Sequence, residues 1–391
     1  MRIILVTGLG GAGRTTVAAA TALAEARAGR RVLLVSEDAE DTESTEGAEA
    51  AGGLPGDGNL RVLRPEPAAD FRREFLALQA RSGTALDLLG AAPFEDAELT
   101  ELPGSRPFAL LRALREAAAG DHELAVVDLP PLPEALALLA LPEQLRRYLH
   151  RLLPPERQAA RALRPMLAQL AGVPMPAQWL YGTTARWEAE LAAVQAVVEA
   201  PATTVRLVLE PGPAATRALR TARLGLALHR LSLDAVVANR LLPAGSGDPW
   251  LAGLTAEQHR HLAELRTGAG DVLHELPHLG RAPRGADDLA LLAPARAGAA
   301  SASVPVPEWA VEDRREEDGV LVWHVPLPGA AKEELSLVRR GDELLLTAGP
   351  FRRNLPLPGA LRRCTVTGAG LVDGDLRVRF TPDPGLWPRT P

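Results

Sequence analysis

Residues 1–16 read MRIILVTGLGGAGRTT, an apolar run followed by a glycine-rich turn and two threonines. Residues 3–7 are partly β-branched and too short a run for a helix, so they predict a buried parallel strand. Residues 15–28 are rich in alanine and open with hydroxyl residues, which is typical of a helix. Strand, loop and helix N-terminus together predict an anion site, because loop amides and the unpaired N–H groups of the first helical turn can converge on a phosphate.

Two phosphate-binding motifs overlap in this loop. Residues 8–15 match the loop of nucleoside triphosphatases except that Arg14 stands where that motif has lysine, and residues 8–13 match the G-x-G-x-x-G dinucleotide fingerprint without exception. Glu37 and Asp38 end the next predicted strand, roughly 20 residues on, where a ribose-binding acid is expected in dinucleotide folds. The loop alone therefore leaves both kinds of nucleotide open, as well as a glycine-rich turn that binds nothing.

Composition excludes several classes of protein. With 391 residues, 47% hydrophobic and 4% aromatic, the chain is long enough for two or more globular domains with aliphatic cores. A formal charge of −6 without a dense basic cluster argues against nucleic acid as the main partner. Cys364 is the only cysteine, which excludes an internal disulfide and a multi-cysteine metal site. No cleavable signal and no apolar stretch of about 20 residues is present, so we expect a cytoplasmic protein rather than an integral membrane protein.

Strands and helices alternate through residues 1–298, which predicts a doubly wound, mainly parallel sheet with a mostly helical subdomain over about 134–200. The predicted strands span residues 3–7, 31–36, 60–64, 124–128, 204–210, 233–239 and 272–276, and the predicted helices include 15–28, 68–89, 108–119, 216–230 and 255–265. Asp128 ends its strand at the carboxyl edge of the sheet, where ligands of open α/β folds bind.

The pattern changes after residue 298. Residues 299–318 contain an alanine, serine and proline segment and a charge run, which together predict a linker. Residues 319–381 contain short strands separated by turns such as Arg340-Gly-Asp342 and Asp373-Gly374, which predicts a compact all-β sandwich. Residues 382–391 form a tail.

The sequence resembles the ArsA-type ATPases, a family that includes arsenical-pump ATPases and the ATPases that deliver tail-anchored membrane proteins. The resemblance covers residues 1 to about 298 and rests on five segments in the same order: the glycine loop, Ser36-Glu-Asp38-Ala, Leu102-Pro-Gly104, residues 128–142 and Val236-Val-Ala-Asn239-Arg-Leu-Leu-Pro243. Residues 321–381, with Trp323-His-Val-Pro-Leu-Pro-Gly329 and Asn354-Leu-Pro-Leu-Pro-Gly359, resemble the small heat-shock (α-crystallin) domain that some members carry at the C-terminus.

The resemblance implies an ATP and Mg²⁺ site. It assigns Gly10, Gly11, Ala12, Gly13, Arg14, Thr15 and Thr16 to the phosphates, Asn239 to the base, Thr15 and Asp128 to Mg²⁺, and Asp38 to activation of water. It also implies a homodimer and a client protein with an apolar segment.

Two departures from the family pattern count against hydrolysis. Arg14 replaces the lysine that reaches the β- and γ-phosphates, and Leu9 replaces the signature lysine that reaches across the family's homodimer. Lys332 is the only lysine of the chain, so a bias towards arginine explains Arg14 but not Leu9. Residues 128–142 resemble the segment called the second switch in this family. Within it, Pro133 and Glu134 stand where the family has glycine and histidine.

Our hypothesis from the sequence is a degenerate ATPase that acts as a chaperone-like client-binding or targeting factor, with weak or absent hydrolysis. One alternative is an active ATPase that couples hydrolysis to client release, and another is a dinucleotide-binding enzyme. Arsenite capture needs several thiols, so an arsenical-pump role is disfavoured.

Overall fold

The computed structural model describes residues 1–37, 58–81, 92–152, 177–293 and 309–387. Within these residues, strands and helices alternate up to residue 291, and antiparallel strands follow from residue 311. This confirms the predicted fold class, an α/β part followed by a small all-β part.

Seven strands form one parallel sheet. They are β1 (Arg2–Gly8), β2 (Val32–Val35), β3 (Leu60–Leu63), β4 (Leu124–Asp128), β5 (Thr203–Leu209), β6 (Ser232–Leu241) and β7 (Leu273–Pro277). Their order is β3-β2-β4-β1-β5-β6-β7, so β1 lies at the centre between β4 and β5. Residues 3–6 of β1 are at most 4% exposed, as expected for a strand that is covered on both faces.

Helices connect these strands. The described ones are α1 (Arg14–Arg27), α2 (Pro67–Arg81), α3 (Ser105–Ala119), α4 (Leu132–Leu152), α5 (Ala177–Val198), α6 (Ala215–His229), α7 (Pro249–Ala269) and α8 (Gly285–Leu291). Every strand and helix predicted above is present with its ends moved by a few residues, although 82–89 of the predicted 68–89 helix lie outside the described residues. No pattern had indicated the short helix α8.

The chain divides into two compact units. The first contains Met1–Leu5, Thr15–Thr203 and Pro283–Ala293, and the second contains Val6–Arg14, Thr204–Ala282 and Pro294–Pro391. In the first unit, α1 buries its alanine face together with Val17 and Leu23. In the second unit, residues 204–209 of β5 are buried, and α6, whose buried residues include Leu224 and Leu228, contacts β6. The predicted alternation of apolar strands and amphipathic helices therefore supplies the core of each unit.

The C-terminal strands form two antiparallel sheets. One has β10 (Leu335–Arg340), β11 (Glu343–Ala348) and β12 (Phe351–Pro356), and the other has β8 (Val311–Arg314), β9 (Val320–Pro326), β13 (Cys364–Val372) and β14 (Asp375–Pro382) in the order β13-β14-β9-β8. Alternate residues point inward, so that Trp323, Leu344, Leu355 and Phe380 are at most 2% exposed. The predicted sandwich is confirmed.

The linker predicted over 299–318 differs from the structure at its C-terminal end. Residues 311–314 form β8, which pairs with β9 as the edge strand of its sheet. The linker prediction was wrong for these residues. A run of charged residues is typical of a linker, but an edge strand also tolerates charged side chains that face water. Trp309, just before β8, contacts the buried Trp323 edge to face with ring centroids 6.0 Å apart.

The β-sandwich contacts α6 within the second unit. Arg353 Nη1 on β12 donates a hydrogen bond to the Leu228 carbonyl in the last turn of α6, at 2.6 Å. The guanidinium groups of Arg230 and Arg353 lie 5.8 and 5.6 Å from the centre of the Trp309 ring. A cation at a helix C-terminus and two cation–π contacts are each favourable. The sandwich is therefore attached to this helix through specific contacts in addition to the chain connection.

His324 joins three strands of the sandwich. Its Nδ1 lies 2.7 Å from Asp375 Oδ2 on β14, and its Nε2 lies 3.1 Å from Glu312 Oε2 on β8. Arg377 Nε also donates to Asp375 Oδ2, at 3.1 Å. Burial alone would lower the pKa of His324, but the hydrogen bonds to the two carboxylates outweigh it and raise the pKa above its ordinary value of 6.5.

The raised pKa predicts a pH-dependent stability. Because the folded state holds the proton more tightly than the unfolded state, the stabilisation is complete below the unfolded pKa and is lost as the pH rises through the folded pKa. We expect the unaltered chain to have a higher thermal midpoint than His324→Gln below about pH 6.5, and this advantage to shrink as the pH rises through the raised pKa of His324. A difference between the two midpoints that does not change with pH would contradict the prediction. His229 has the opposite effect, because burial and the nearby Arg353 lower its pKa to about 3 and stability is therefore gained as the pH rises towards the unfolded value of 6.5. Both proteins carry His229, so the difference between their thermal midpoints reports on His324.

Candidate functional site

The glycine loop begins where β1 ends, against the neighbouring strand β5. Leu9 N–H donates to the Val208 carbonyl at 3.1 Å, and Ala12 N–H donates to the Leu9 carbonyl at 3.3 Å. A Cβ atom at Gly8 would lie 1.9 Å from the Val208 carbonyl oxygen. The first glycine is therefore needed because the loop backbone approaches β5 more closely than any side chain allows.

Asn239, near the end of β6, supports the other side of the loop. Its Nδ2 donates to the Ala12 carbonyl at 2.8 Å, and the residue is 4% exposed. A Cβ atom at Gly13, where φ is 86°, would lie 2.5 Å from this Nδ2. The Asn239 amide thus holds the loop in this structure, and its assignment to the base of a nucleotide stays a prediction.

The loop offers backbone donors. Among the described residues, no backbone carbonyl accepts a hydrogen bond from the N–H of Gly10, Gly11 or Gly13. Gly11 has φ 78°, a conformation that favours glycine. Arg14 is the first residue of α1, and Thr15 and Thr16 follow half-buried in its first turn. Exposed loop amides followed directly by a helix N-terminus form a backbone environment suited to phosphate.

A cluster of two hydroxyls and a carboxylate lies in the first unit. Thr15 Oγ1 donates to Asp128 Oδ2 at 2.7 Å, and Ser36 Oγ donates to the same oxygen at 3.1 Å. Asp128 ends β4, and Ser36 directly follows β2, which is the neighbouring strand. The structure thus brings together the two residues predicted to hold Mg²⁺. A hydroxyl beside a carboxylate is the hard-oxygen donor set that Mg²⁺ prefers, so these residues fit that ion.

Ser36 belongs to the Ser36-Glu-Asp38-Ala segment of the family resemblance, which implies no role for it. It is 1% exposed and ends a buried strand, and its position at the carboxyl edge of the sheet was the available signal. Glu37, the next residue, pairs with Arg106 of α3 at 2.5 Å. Asp38, predicted to activate water, lies outside the described residues. In the described part of the chain, no three His, Cys, Asp or Glu side chains form a further metal site.

Strand order separates the two nucleotide alternatives. Dinucleotide-binding folds have the classic order 3-2-1-4-5-6, in which the first strand lies beside the second. Here β4 lies between β1 and β2. The sheet therefore differs from a dinucleotide fold at the strand that carries the glycine loop.

Comparison with known proteins decides the family. Residues 1–294 match the ArsA family described as Anion-transporting ATPase, and residues 318–380 match the HSP20-like domain found in ArsA. The chain belongs to the ArsA ATPase family. This confirms both resemblances, and together with the strand order it leaves the dinucleotide-binding alternative without support.

Relatives of this ArsA-family chain cover nearly its whole length. An uncharacterised protein of Streptomyces coelicolor is 59% identical over all of both chains. A protein of Mycobacterium tuberculosis is 32% identical over 99% of this chain and 97% of its own. A protein of Aquifex aeolicus named as an arsenical pump-driving ATPase is 25% identical, covering 93% of this chain and 95% of its own. In the part of the ArsA-family chain that the structure describes, no helix has the length and apolarity to cross a membrane.

Proposed function

We propose that this ArsA-family chain binds ATP with Mg²⁺, hydrolyses it slowly or not at all, and holds an apolar segment of a client protein. The observation that carries the proposal is a contrast at the site. The hydroxyl–carboxylate cluster of Thr15, Ser36 and Asp128 is intact, whereas Leu9 and Arg14 replace both lysines of the family loop.

Different residues would bind the phosphates and the Mg²⁺ ion. The amides of Gly10, Gly11 and Gly13, with the start of α1, are suited to the phosphates. The Ala12 N–H, also predicted to bind phosphate, instead donates to the Leu9 carbonyl in this structure. Thr15 and Asp128 would hold Mg²⁺, which when bound neutralises phosphate charge. Ser36 donates to the Asp128 carboxylate and so fixes its orientation, as partners of metal ligands do.

The replaced lysines support slow hydrolysis. The planar guanidinium of Arg14 is larger than an ammonium and does not fit a cavity shaped for one without movement. Leu9 has no charge to offer at the position of the signature lysine. Because a cation that stabilises the transition state of phosphoryl transfer contributes about 10³ to 10⁵ in rate, these two changes are sufficient to make turnover negligible.

An apolar cavity of the first unit supports the client-binding half of the proposal. It has a volume of about 380 Å³ and lies between α2, α3 and α5. Its apolar walls include Phe71, Phe75, Leu78, Phe108, Leu111, Trp187, Leu191 and Val194. Phe108 and Trp187 stand edge to face at its surface and are 44% and 43% exposed. A cavity of this size and lining suits a few large apolar side chains of a bound segment.

Charged side chains surround the apolar walls. Arg112 pairs with Asp70 and Glu74, and Arg186 pairs with Glu74 at 3.5 Å and Glu190 at 3.1 Å. This network connects all three helices at the edge of the cavity, and the Phe108 and Trp187 rings remain exposed beside it. An apolar centre with a polar rim is the usual anatomy of a protein-binding site.

Cavity variants test the client-binding half. We expect Phe108→Asp and Trp187→Asp each to weaken binding of a dye-labelled amphipathic peptide of about 18 residues by about 10-fold or more, because a charge replaces a buried apolar contact. The measurement is fluorescence anisotropy with the full chain. Trp250→Asp on α7 is the matched control, since Trp250 is 74% exposed and does not line the cavity. An equal loss in the control, or no loss in the cavity variants, would contradict the proposal.

An active ATPase that couples hydrolysis to client release is the second candidate. It is favoured by the intact Thr15–Asp128 hydrogen bond and by the positive charge that Arg14 retains. A homodimer and a cytoplasmic location are further expectations from the family resemblance. An arsenical-pump role has less support, because arsenite capture needs several thiols and Cys364 is buried.

A further inference from the structure

We infer that Arg240 contacts the phosphate chain of the bound nucleotide and that Glu210 competes with the nucleotide for its guanidinium. The inference rests on the proposed nucleotide binding and adds a residue that the motif assignment did not use. It concerns the second unit alone, where β6 ends beside the glycine loop.

Arg240 lies in a β-bulge of β6. The register between β6 and β7 shifts between Ala238 and Leu241. Within this irregularity Arg240 has φ 61°, a left-handed conformation that a residue with a side chain rarely adopts. Bulges of this kind occur next to active sites, where they redirect a side chain. Strained residues persist only where the surroundings enforce them, so the bulge needs a support.

Gln258 of α7 supplies that support. Its Nε2 donates to the Arg240 carbonyl at 3.0 Å, and its Oε1 accepts from the Leu242 N–H at 2.8 Å. Gln258 is 8% exposed, so both hydrogen bonds are shielded from water. A buried side chain therefore holds the backbone on both sides of the bulge in one conformation.

The fixed backbone directs Arg240 towards the loop. Asn239, its neighbour, bonds the Ala12 carbonyl, and a Cβ built on Gly13 would lie 3.9 Å from Arg240 Nε. The guanidinium Nη1 is 3.3 Å from Glu210 Oε2, just after β5. Both side chains are nearly half exposed, at 46% and 47%, and an ion pair so exposed contributes little stability.

The charges of Arg240 and Glu210 would have opposite effects on a bound phosphate. Arg240 brings a guanidinium to the side of the loop that Asn239 supports. Guanidinium groups bind phosphate through charge-assisted hydrogen bonds. Glu210 holds the same group and also repels an anionic ligand, so nucleotide has to displace its carboxylate. Removing the Glu210 charge should therefore strengthen binding, and removing the Arg240 charge should weaken it.

Calorimetric titration of the full chain with ATP and Mg²⁺ tests the inference. We expect Arg240→Asn to bind ATP about 10-fold more weakly than the unaltered chain. Asparagine is chosen because it tolerates the left-handed backbone at this position. We expect Glu210→Gln to bind about 3-fold more tightly, and the double variant to match Arg240→Asn. Arg266→Gln is the matched control, because Arg266 on α7 also forms an exposed ion pair, 2.7 Å from Glu275 on β7. It should bind as the unaltered chain does.

The outcomes separate the two proposals. If the unaltered chain binds ATP and both Arg240→Asn and Glu210→Gln bind it equally well, the role of Arg240 is overturned and nucleotide binding stands. If the unaltered chain binds no ATP, both fall. A loss in Glu210→Gln as large as in Arg240→Asn would show that the ion pair is structural, and it would also overturn the inference. Thermal midpoints of the variants, measured alongside, identify any loss that comes from unfolding.

Discussion

Combining Leu9→Lys with Arg14→Lys is expected to raise the rate of ATP hydrolysis by about 10³-fold, the lower end of what a transition-state cation contributes. Both positions accept the change. Leu9 is half-exposed and is held by its backbone N–H, and Arg14 is the half-buried first residue of α1. Neither substitution removes a contact of the apolar core. The gain should therefore appear in phosphate release without a loss of thermal stability.

Two controls assign the gain to charge. Arg14→Lys alone exchanges a guanidinium for the ammonium of the family loop without adding a charge, and Leu9→Gln with Arg14→Lys adds a polar side chain that is uncharged. We expect both to hydrolyse ATP more slowly than the double-lysine variant. If the double-lysine variant binds ATP and releases no more phosphate than the unaltered chain, the block lies elsewhere, and Pro133 and Glu134 in the first turn of α4 are the next positions to restore.

Replacing Asp128 should remove the magnesium-dependent part of nucleotide binding. Asp128→Ala deletes the carboxylate that accepts from Thr15 and Ser36, and Ser36 is then left with a buried hydroxyl that lacks this acceptor. We expect affinity for ATP with Mg²⁺ to fall by about 100-fold, as a lost charged ligand would cause, and stability to fall by about 1 to 3 kcal/mol. Titration with Mg²⁺ and with a chelator measures the first effect, and thermal unfolding measures the second.

Asp128→Asn separates these two effects. It keeps an acceptor oxygen and the shape of the side chain, so it should retain most of the stability but lose the magnesium dependence. Asp121→Asn is the control, because Asp121 is 83% exposed and pairs only on the surface with Arg31 in the described part of the chain. An Asp128→Asn protein whose ATP affinity still depends on Mg²⁺ would refute the assignment of this carboxylate.

The central strand and the loop after it were predictable from sequence because their causes are local. A short apolar run with β-branched residues favours a buried strand, and the glycines that follow it predict a loop. The structure shows the neighbours that require Gly8 and Gly13, the Val208 carbonyl and the Asn239 amide. Asp128 was placed correctly at the sheet edge for the same reason, since the carboxyl end of a parallel strand is defined by where its apolar run stops.

Sequence patterns did not predict the contacts between segments that are distant in the chain. Ser36 joins Thr15 and Asp128 only because β4 lies beside β2, which is a property of strand order. Asn239 holds the loop from 227 positions away in the chain. The charge run before the sandwich was interpreted as a linker, because nothing in it indicates that β9 is available to pair with residues 311–314.

The contact between the sandwich and α6 was likewise not predictable. Arg353 is one of many arginines in the chain, and only the fold brings it to the Leu228 carbonyl at the end of a helix. The same holds for the cavity of the first unit, whose aromatic walls come from three separate helices. Each helix shows an amphipathic pattern, but a pattern does not identify the surface it packs against.

Titration of the unaltered chain with ATP and Mg²⁺ by calorimetry, beside a phosphate-release assay, is the most direct test of nucleotide binding without turnover. We expect heat from binding and negligible phosphate release. Release at a steady rate that Asp38→Asn abolishes would make this a working ATPase and contradict the claim. No heat at any ATP concentration would contradict it from the other side, since the glycine loop and the hydroxyl–carboxylate cluster would then bind no nucleotide.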